Sequence, residues 1–287
     1  MLESGAADRF GFTTDELALA CASHSGEAVH LRVLRSMLAR AGLREDQLEC
    51  GAHWPSDRVA LRELMIAQRE PLPAHNNCSG KHAGMLALAL TLGVEPTGYV
   101  EPVHVVQRTI ARALAEVCAV DIDAAPCAID GCSVPTWAIP LRHLAIGFHR
   151  LASGTTLNPA RQRASERILA ASRQHPDMVA GKNRFCTRLM TAVPRAYVKT
   201  GAEGVFCGAV PHAGIGFAVK CDDGATRASE MAVAALLLRL DVWSAAERAA
   251  LAPFGEVALR NWRGTVVGKV SAMTSPLSSS PIKKTKR

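Results

Sequence analysis

The segment GVFCGAVPHAGIGFAVKCDDG, residues 204–224, decides the fold class of this chain. It contains two short apolar runs bounded by glycine and joined by Pro, His and Ala, which predicts a β-hairpin over 204–221. The sequence DDG closes the second run, and an apolar helical pattern follows over residues 228–241. A hairpin followed by a helix is typical of an antiparallel sheet covered by helices, so an α+β fold is predicted.

Outward from the hairpin, the chain is predominantly helical. Apolar residues recur at helical spacing in seven further segments. They span 13–21, 27–41, 56–69, 82–92, 101–118, 140–152 and 159–174. These helices are expected to flank the antiparallel sheet within one domain covering residues 1–270.

The composition is that of a globular protein. Its 287 residues are 48% hydrophobic, enough to bury a sizeable core without the help of disulfide bonds or a structural metal. The nine cysteines are odd in number and scattered, and no stretch has the pattern of a secretory signal, so we expect reduced thiols and a cytoplasmic protein. The longest apolar runs are about ten residues, half of what a bilayer span needs, so no membrane association is expected.

The net charge of +7 raises the question of a nucleic-acid partner. Four of these charges lie in the last five residues, KKTKR, which leaves about +3 on the rest of the chain. The body is therefore not a basic surface, and no nucleic-acid partner is expected. Residues 271–287 are rich in Ser, Pro and Lys without apolar periodicity, which predicts a disordered basic tail.

The motif CSGKH brings Cys78 and Lys81 onto one helical face, because they lie three residues apart. With Cys132 of DGCSVP they could form a three-ligand metal site, and two thiolates favour zinc. A lysine ligand must be neutral, which costs about 4.6 kcal/mol at pH 7. Zinc binding of roughly 10 to 16 kcal/mol can supply that cost. The alternative interpretation is that these are ordinary buried cysteines.

Three further motifs contain candidate catalytic or binding residues. In ASHSGE, Ser23 or Ser25 could act as a nucleophile or proton relay with His24 or a distant lysine as base, or could simply cap a helix end. Lys199 begins a KTG triplet, which in serine β-lactamases lines the active site with a cationic lysine, although a match of three residues also occurs by chance. Asp130 could bind a substrate amine, or could stabilise a turn.

Five motifs occur in an order that resembles one family. They are ALACASHSGE, NNCSGKHAGML, DGCSVPTWAIPL, HPDMVAGKNRF and KTGAEGV. They resemble the Rhizobium-type L-asparaginases, also called the asparaginase II family, and the resemblance runs from residue 3 to about residue 269. It implies a fold similar to serine β-lactamases and glutaminases, and hydrolysis of L-asparagine to L-aspartate and ammonia.

The resemblance also implies the roles of individual residues. A zinc ion would be held by Cys78, Lys81 and Cys132. Ser23 and Lys199 would form a serine–lysine pair in catalysis.

Asp130 and His82 are expected near the substrate, L-asparagine. A homodimer is also expected. Two other interpretations remain open: a non-catalytic protein that binds zinc or an amino acid, and another β-lactamase-like serine amidohydrolase such as a glutaminase.

The chain departs from the family pattern at its start. Family members begin with strands that end in an SxxK motif, and that serine is the expected acyl-accepting nucleophile. Here the SxxK motif occurs at Ser280–Lys283, in the predicted tail, which is interpreted as accidental. We therefore expect a chain without the first strands, with turnover at background and an unpaired apolar sheet edge beside 204–221. Ser23 as nucleophile is the alternative.

A smaller departure lies in the GKNRFCT segment. The family pattern leads us to expect glycine in place of Asn183 and aspartate in place of Cys186. Loop contacts in this segment are expected to differ from those of the family.

Overall fold

A computed structural model describes residues 1–273. The α-helices are α1 (Ala6–Arg9), α2 (Thr14–Ala20), α3 (Ala28–Arg40), α4 (Arg58–Ile66), α5 (Ser79–Leu92), α6 (Val105–Cys118), α7 (Leu141–Ser153), α8 (Pro159–Gln174), α9 (Pro176–Val179), α10 (Phe185–Ala192), α11 (Thr226–Arg239) and α12 (Ala245–Leu251). The strands are β1 (Cys127–Ile129), β2 (Pro135–Trp137), β3 (Tyr197–Thr200), β4 (Val205–Val210), β5 (Ile215–Lys220), β6 (Glu256–Arg260) and β7 (Val266–Ser271). Helices occur together with small antiparallel sheets, so the predicted α+β class is confirmed.

The central sheet has the strand order β3–β4–β5, and both pairings are antiparallel. The predicted hairpin is β4–β5, with Val210 opposite Ile215 at the turn and Val205 opposite Lys220 at the open end. Strand β3 adds Lys199 to this sheet, opposite Cys207. Two separate hairpins, β1–β2 and β6–β7, complete the strands of the described residues.

Helix α7 packs closely on one face of the central sheet. Tyr197, Ala209 and Gly216 lie side by side across the three strands, and the Phe148 ring stacks on Tyr197 at 6.3 Å between centroids. A Cβ atom at Gly216 would overlap the backbone nitrogen of His149, so this close approach requires glycine. The sheet is thereby fixed against the helical part of the chain.

Two helices meet where the candidate site lies. Helix α5 begins beside the end of α2, and a Cβ atom at Gly80 would overlap the carbonyl oxygen of Leu19. Since the chain continues from α2 directly into Ser23, this contact brings the ASHSGE segment next to the first turn of α5.

The predicted helices correspond to observed ones, with different ends. Helix α5 begins at Ser79 rather than 82, α6 begins at Val105 rather than 101, and α4 spans Arg58–Ile66 within the predicted 56–69. Strand β7 extends to Ser271, and most of the predicted tail, from residue 274, lies outside the described residues. Within residues 1–273, no helix has the length and apolar character needed to cross a membrane.

Candidate active site and metal centre

Ser23 and Lys199 are in direct contact. The Lys199 Nζ donates hydrogen bonds to Ser23 Oγ and to the carbonyl oxygen of Thr200, both at 2.7 Å. Ser23 lies in the loop after α2, and Lys199 lies on β3. Both side chains keep part of their surface accessible. The structure therefore places a partly exposed serine against a lysine amine.

The backbone around Ser23 is held from two sides. The Ser23 N–H donates to the Val179 carbonyl at 3.0 Å, and the His24 N–H donates to the Asn77 carbonyl at 3.0 Å. Both bonds join this loop to segments distant in sequence. The position of the Ser23 hydroxyl is thus set by tertiary contacts rather than by a local turn.

His24 is engaged elsewhere and does not contact Ser23 as a base. Its Nδ1 accepts the Gly26 N–H at 3.1 Å, and its Nε2 lies 2.9 Å from Ser79 Oγ. Burial and the neighbouring His30 lower the pKa of His24 well below its ordinary value. His24 is therefore a neutral structural residue that ties the loop to α5.

Ser25, the other candidate serine, belongs to a second contact. Its Oγ donates to Glu27 Oε1 at 2.6 Å, and the same carboxylate oxygen accepts the Lys182 N–H at 2.7 Å. Gly181 lies against this pair with φ of +119°, and a Cβ atom there would overlap Ser25 Oγ. The ASHSGE motif contains Ser25, but its contact with Glu27 and Gly181 was not predicted from the sequence.

The environment of Lys199 makes its amine easier to deprotonate than a lysine in water. Desolvation lowers the pKa of Lys199 below its ordinary value, although nearby thiols act in the opposite direction. Two of those thiols belong to Cys21 and Cys186. Desolvation raises the pKa of both, to about 11 for Cys21, so they are protonated at neutral pH. Neither thiol was predicted as part of the site.

The second cluster contains the predicted metal ligands. Cys78 is the N-cap residue of α5, Lys81 lies in its first turn, and Cys132 lies in the turn between β1 and β2. The Lys81 Nζ is 3.1 Å from Cys132 Sγ. Cys132 Sγ is also 3.0 Å from Asp130 Oδ2. All four predicted residues of this cluster therefore come together.

The charges of the cluster are arranged around one thiolate. A hydrogen bond from Cys132 lowers the pKa of Cys78 to about 6, despite its desolvation. The same bond raises the pKa of Cys132, which keeps its proton. For Lys81, desolvation favours the neutral amine, but Cys78 and Cys132 outweigh it and the pKa rises. Without metal, the cluster pairs a thiolate with an ammonium group.

The donor set fits zinc. The ligand atoms of Cys78, Asp130 and Cys132 lie within 4.8 Å of one another, and the Lys81 amine adjoins them. Two sulfur donors with a nitrogen or oxygen donor match the ligands that zinc prefers. Binding requires that Cys132 and Lys81 lose protons, so affinity must depend on pH.

His82 lies inside the protein next to this cluster. It has no exposed surface, and its Nδ1 is 2.7 Å from the Tyr99 hydroxyl. The Tyr99 hydroxyl also accepts the Glu49 N–H at 2.9 Å, so it joins His82 to the backbone at Glu49. Cys132 adjoins His82 closely enough to raise its pKa, although desolvation has the larger, opposite effect.

The two clusters form one electrostatic site. Cys78 and Lys81 both affect the pKa of Lys199, in opposite directions. A cavity of about 590 Å³ is lined in part by Glu27, His30 and Lys182, but Ser23 and Lys199 do not line it. The assignment of the site therefore rests on the chemistry of its side chains.

The fold and site define an α+β protein in which a serine–lysine contact adjoins a cluster of two thiols, a lysine and a carboxylate. The L-asparaginase II family matches residues 1–272. The chain belongs to this family. No curated protein matches the chain.

Proposed function

We propose that this chain is an amidohydrolase that converts L-asparagine and water into L-aspartate and ammonia by serine acyl transfer. The observation that carries the proposal is the 2.7 Å contact between Lys199 Nζ and Ser23 Oγ. Family membership supports the substrate. A serine hydroxyl is a weak nucleophile at its free pKa and needs an adjacent base, which the amine of Lys199 supplies when neutral.

In the first half of the reaction, Ser23 Oγ bonds to the side-chain amide carbon of L-asparagine while Lys199 Nζ takes the hydroxyl proton. Lys199 then gives this proton to the amide nitrogen, the C–N bond breaks, and ammonia leaves. In the second half, water attacks the aspartyl ester and Lys199 takes its proton. That proton returns to Ser23 Oγ as L-aspartate leaves, so the enzyme is restored.

We propose Ser23 as the nucleophile in place of the background turnover expected from the sequence, because Ser23 contacts Lys199 and is partly exposed. Among the hydroxyl groups of residues 1–273, Ser23 accepts a hydrogen bond from a lysine amine, and that lysine has a lowered pKa. The KTG triplet at Lys199 leads into β4 of the antiparallel sheet, an arrangement that supports a fold similar to serine β-lactamases. We propose this fold relationship together with the mechanism.

We propose Cys78, Lys81 and Cys132 as the residues that hold a zinc ion, with Asp130 adjoining them. When bound, zinc supplies fixed positive charge that orients the substrate, while thiolate ligands limit its acidity. Asp130 is partly exposed, and we propose that its carboxylate binds the substrate ammonium group. His82 is fully buried and supports Cys132 from inside, so its effect on the substrate is indirect.

Ammonia release from L-asparagine by the purified chain tests the function, measured beside L-glutamine and a chromogenic β-lactam. We expect release from L-asparagine to exceed release from L-glutamine, without β-lactam cleavage. Acid quenching during turnover should leave an aspartyl ester on the peptide that contains Ser23. Ser280→Ala is the control, because Ser280 begins the SxxK sequence of the tail, and this variant should retain full activity.

Two results would contradict the proposal. Preference for L-glutamine or the β-lactam would assign a different amidohydrolase activity. Binding of L-asparagine without any ammonia release would instead favour a non-catalytic binding protein that keeps the pocket.

A further inference from the structure

A cavity of about 590 Å³ lies beside the start of α3. Its walls are the first turn of α3, the segment between α9 and α10, one face of α10, and Phe254 after α12. Neither Ser23 nor Lys199 lines it. Its volume falls within the range of roughly 300 to 1,000 Å³ that is usual for small-molecule sites. The cavity is therefore large enough for a ligand and separate from the serine–lysine contact.

Glu27 brings to this cavity a carboxylate that the protein uses only in part. Its Oε1 accepts bonds from Ser25 Oγ at 2.6 Å and from the Lys182 N–H at 2.7 Å. Its Oε2 has no hydrogen-bond or ion-pair partner within residues 1–273. The residue is partly buried and caps the start of α3. One oxygen thus holds the carboxylate in place, and the other can accept a bond from a ligand.

Arg188 of α10 brings the opposite charge. Its Cζ lies over the Phe254 ring, 5.4 Å from the ring centroid. That ring is buried and meets Phe185 edge to face at 5.6 Å between centroids. Within residues 1–273 no carboxylate forms an ion pair with this guanidinium, although its charge acts on Glu230 at longer range. The guanidinium is therefore placed by a fixed ring, and its planar donors remain free for an anion.

The two charges lie on neighbouring walls of the cavity. Thr187, next to Arg188 in α10, donates from its Oγ1 to the Gly181 carbonyl oxygen at 2.7 Å. Gly181 in turn lies against Glu27, because an added Cβ atom would be 2.6 Å from Glu27 Oε1. Glu27 and Arg188 nevertheless form no ion pair with each other. Opposite charges that line one cavity without pairing are complementary to a ligand that carries both charges.

The rest of the lining favours an apolar group between those charges. Three residues give the cavity apolar surface: Val29, Ala192 and Phe254. His30 is fully buried, desolvation lowers its pKa, and both of its ring nitrogens are paired within the chain. The side chains of Lys182 and Asp177 are exposed, so water screens their charges. The cavity thus combines one anchored carboxylate, one anchored guanidinium and an apolar wall.

We propose that this cavity binds a free α-amino acid with an apolar side chain, such as L-leucine. The ammonium group of the ligand donates to Glu27 Oε2, and its carboxylate accepts from the Arg188 guanidinium. Its side chain packs on the apolar wall that includes Phe254. A polar side chain such as that of L-asparagine would lose its hydration there, so this site differs from the proposed substrate site. No part of this proposal depends on the proposed function.

Isothermal titration calorimetry with L-leucine and the full 287-residue chain tests the proposal. We expect binding that Arg188→Met and Glu27→Gln each weaken about tenfold or more, because each removes one charged contact. Arg188→Met keeps an unbranched side chain over Phe254, and Glu27→Gln keeps an oxygen that can accept the two existing bonds. Arg62→Met is the control, because Arg62 is exposed on α4 and does not line the cavity. Thermal unfolding by circular dichroism checks that all variants fold.

Ligand analogues supply an independent readout. N-acetyl-L-leucine lacks the ammonium group, L-leucinamide lacks the carboxylate, and glycine lacks the apolar side chain, so all three should bind more weakly than L-leucine. Ser23→Ala and Asp130→Asn should leave L-leucine binding unchanged, since neither residue lines the cavity. A chain that does not bind L-leucine would overturn the proposal. Binding that is unaffected by the Arg188 and Glu27 substitutions, equally strong for any analogue, or lost in Ser23→Ala or Asp130→Asn would also overturn it.

Discussion

Lys199 Nζ lies 2.7 Å from Ser23 Oγ, although 176 positions separate the two residues in the chain. The contact forms because β3 and the loop after α2 are both fixed by tertiary packing. Desolvation lowers the pKa of Lys199, so this lysine gives up its proton more readily than a lysine in water. The contact and the lowered pKa both support the proposal that Lys199 acts as the base for Ser23.

Lys199→Met should abolish most turnover. Loss of the amine removes the base and a charge contact to the transition state, for which a cost of about 3 kcal/mol is expected. Steady-state kinetics with L-asparagine measures this cost. Lys182→Met is the matched control, because the Lys182 side chain is exposed and its contact to Glu27 uses the backbone N–H. A larger effect at Lys182 than at Lys199 would mean that the wrong lysine has been assigned.

Lys199 should also make stability depend on pH. Its pKa is lower in the folded protein than in the unfolded chain, so between the two pKa values the unfolded chain binds more protons. The free energy of unfolding should therefore rise with pH through that window, because the cost of burying a charged amine disappears. Lys199→Met removes the group and should flatten this rise. Denaturant unfolding at several alkaline pH values measures this rise. If the free energy of unfolding rises with pH equally in both proteins, the lowered pKa of Lys199 is contradicted.

The chain should bind about one zinc ion through the thiol cluster. Cys78→Ala and Cys132→Ala should each remove most bound zinc. Cys118→Ala should not, because Cys118 is buried but lies outside the cluster. Affinity should fall as pH drops, since the ligands must lose protons to bind. Elemental analysis that finds equal zinc in all three variants would contradict the site.

Gly181→Ala should damage the loop that adjoins the serine. Gly181 has φ of +119°, and an added Cβ would lie 2.6 Å from Glu27 Oε1 as well as against Ser25. We expect a stability loss of about 1 to 3 kcal/mol together with lower turnover. Gly42→Ala is the control, because Gly42 also has positive φ but has open space around its Cβ position. Equal losses in both variants would show that backbone strain alone, and not the contact with Ser25, explains the effect.

The sequence predicted those parts of the protein that are encoded locally. The β4–β5 hairpin followed from glycine-bounded apolar runs, and the placement of Cys78 and Lys81 together at the start of α5 followed from helical spacing. The hairpin β6–β7 was not predicted, because its apolar residues face solvent and do not mark a core. Strand β3 was also missed, since four residues are too short for a clear alternation.

Contacts between distant segments could not be derived from local patterns. The pairing of Ser23 with Lys199 came from family resemblance, and the packing of Gly181 on Ser25 was not predicted at all. The expected glycine at position 183 has a physical reason, because Asn183 has φ of +63°, a conformation that asparagine tolerates. Cys186, where aspartate was expected, places a neutral thiol near Lys199.

The role of Ser23 is tested most directly by ammonia release from L-asparagine, measured with the 287-residue chain and its Ser23→Ala variant at high enzyme concentration. Retained zinc and an unchanged unfolding transition would show that the variant is intact. We expect the original chain to release ammonia and the Ser23→Ala variant to show only background release. Equal release by both proteins, or release by neither, would contradict the assignment of Ser23 as the nucleophile.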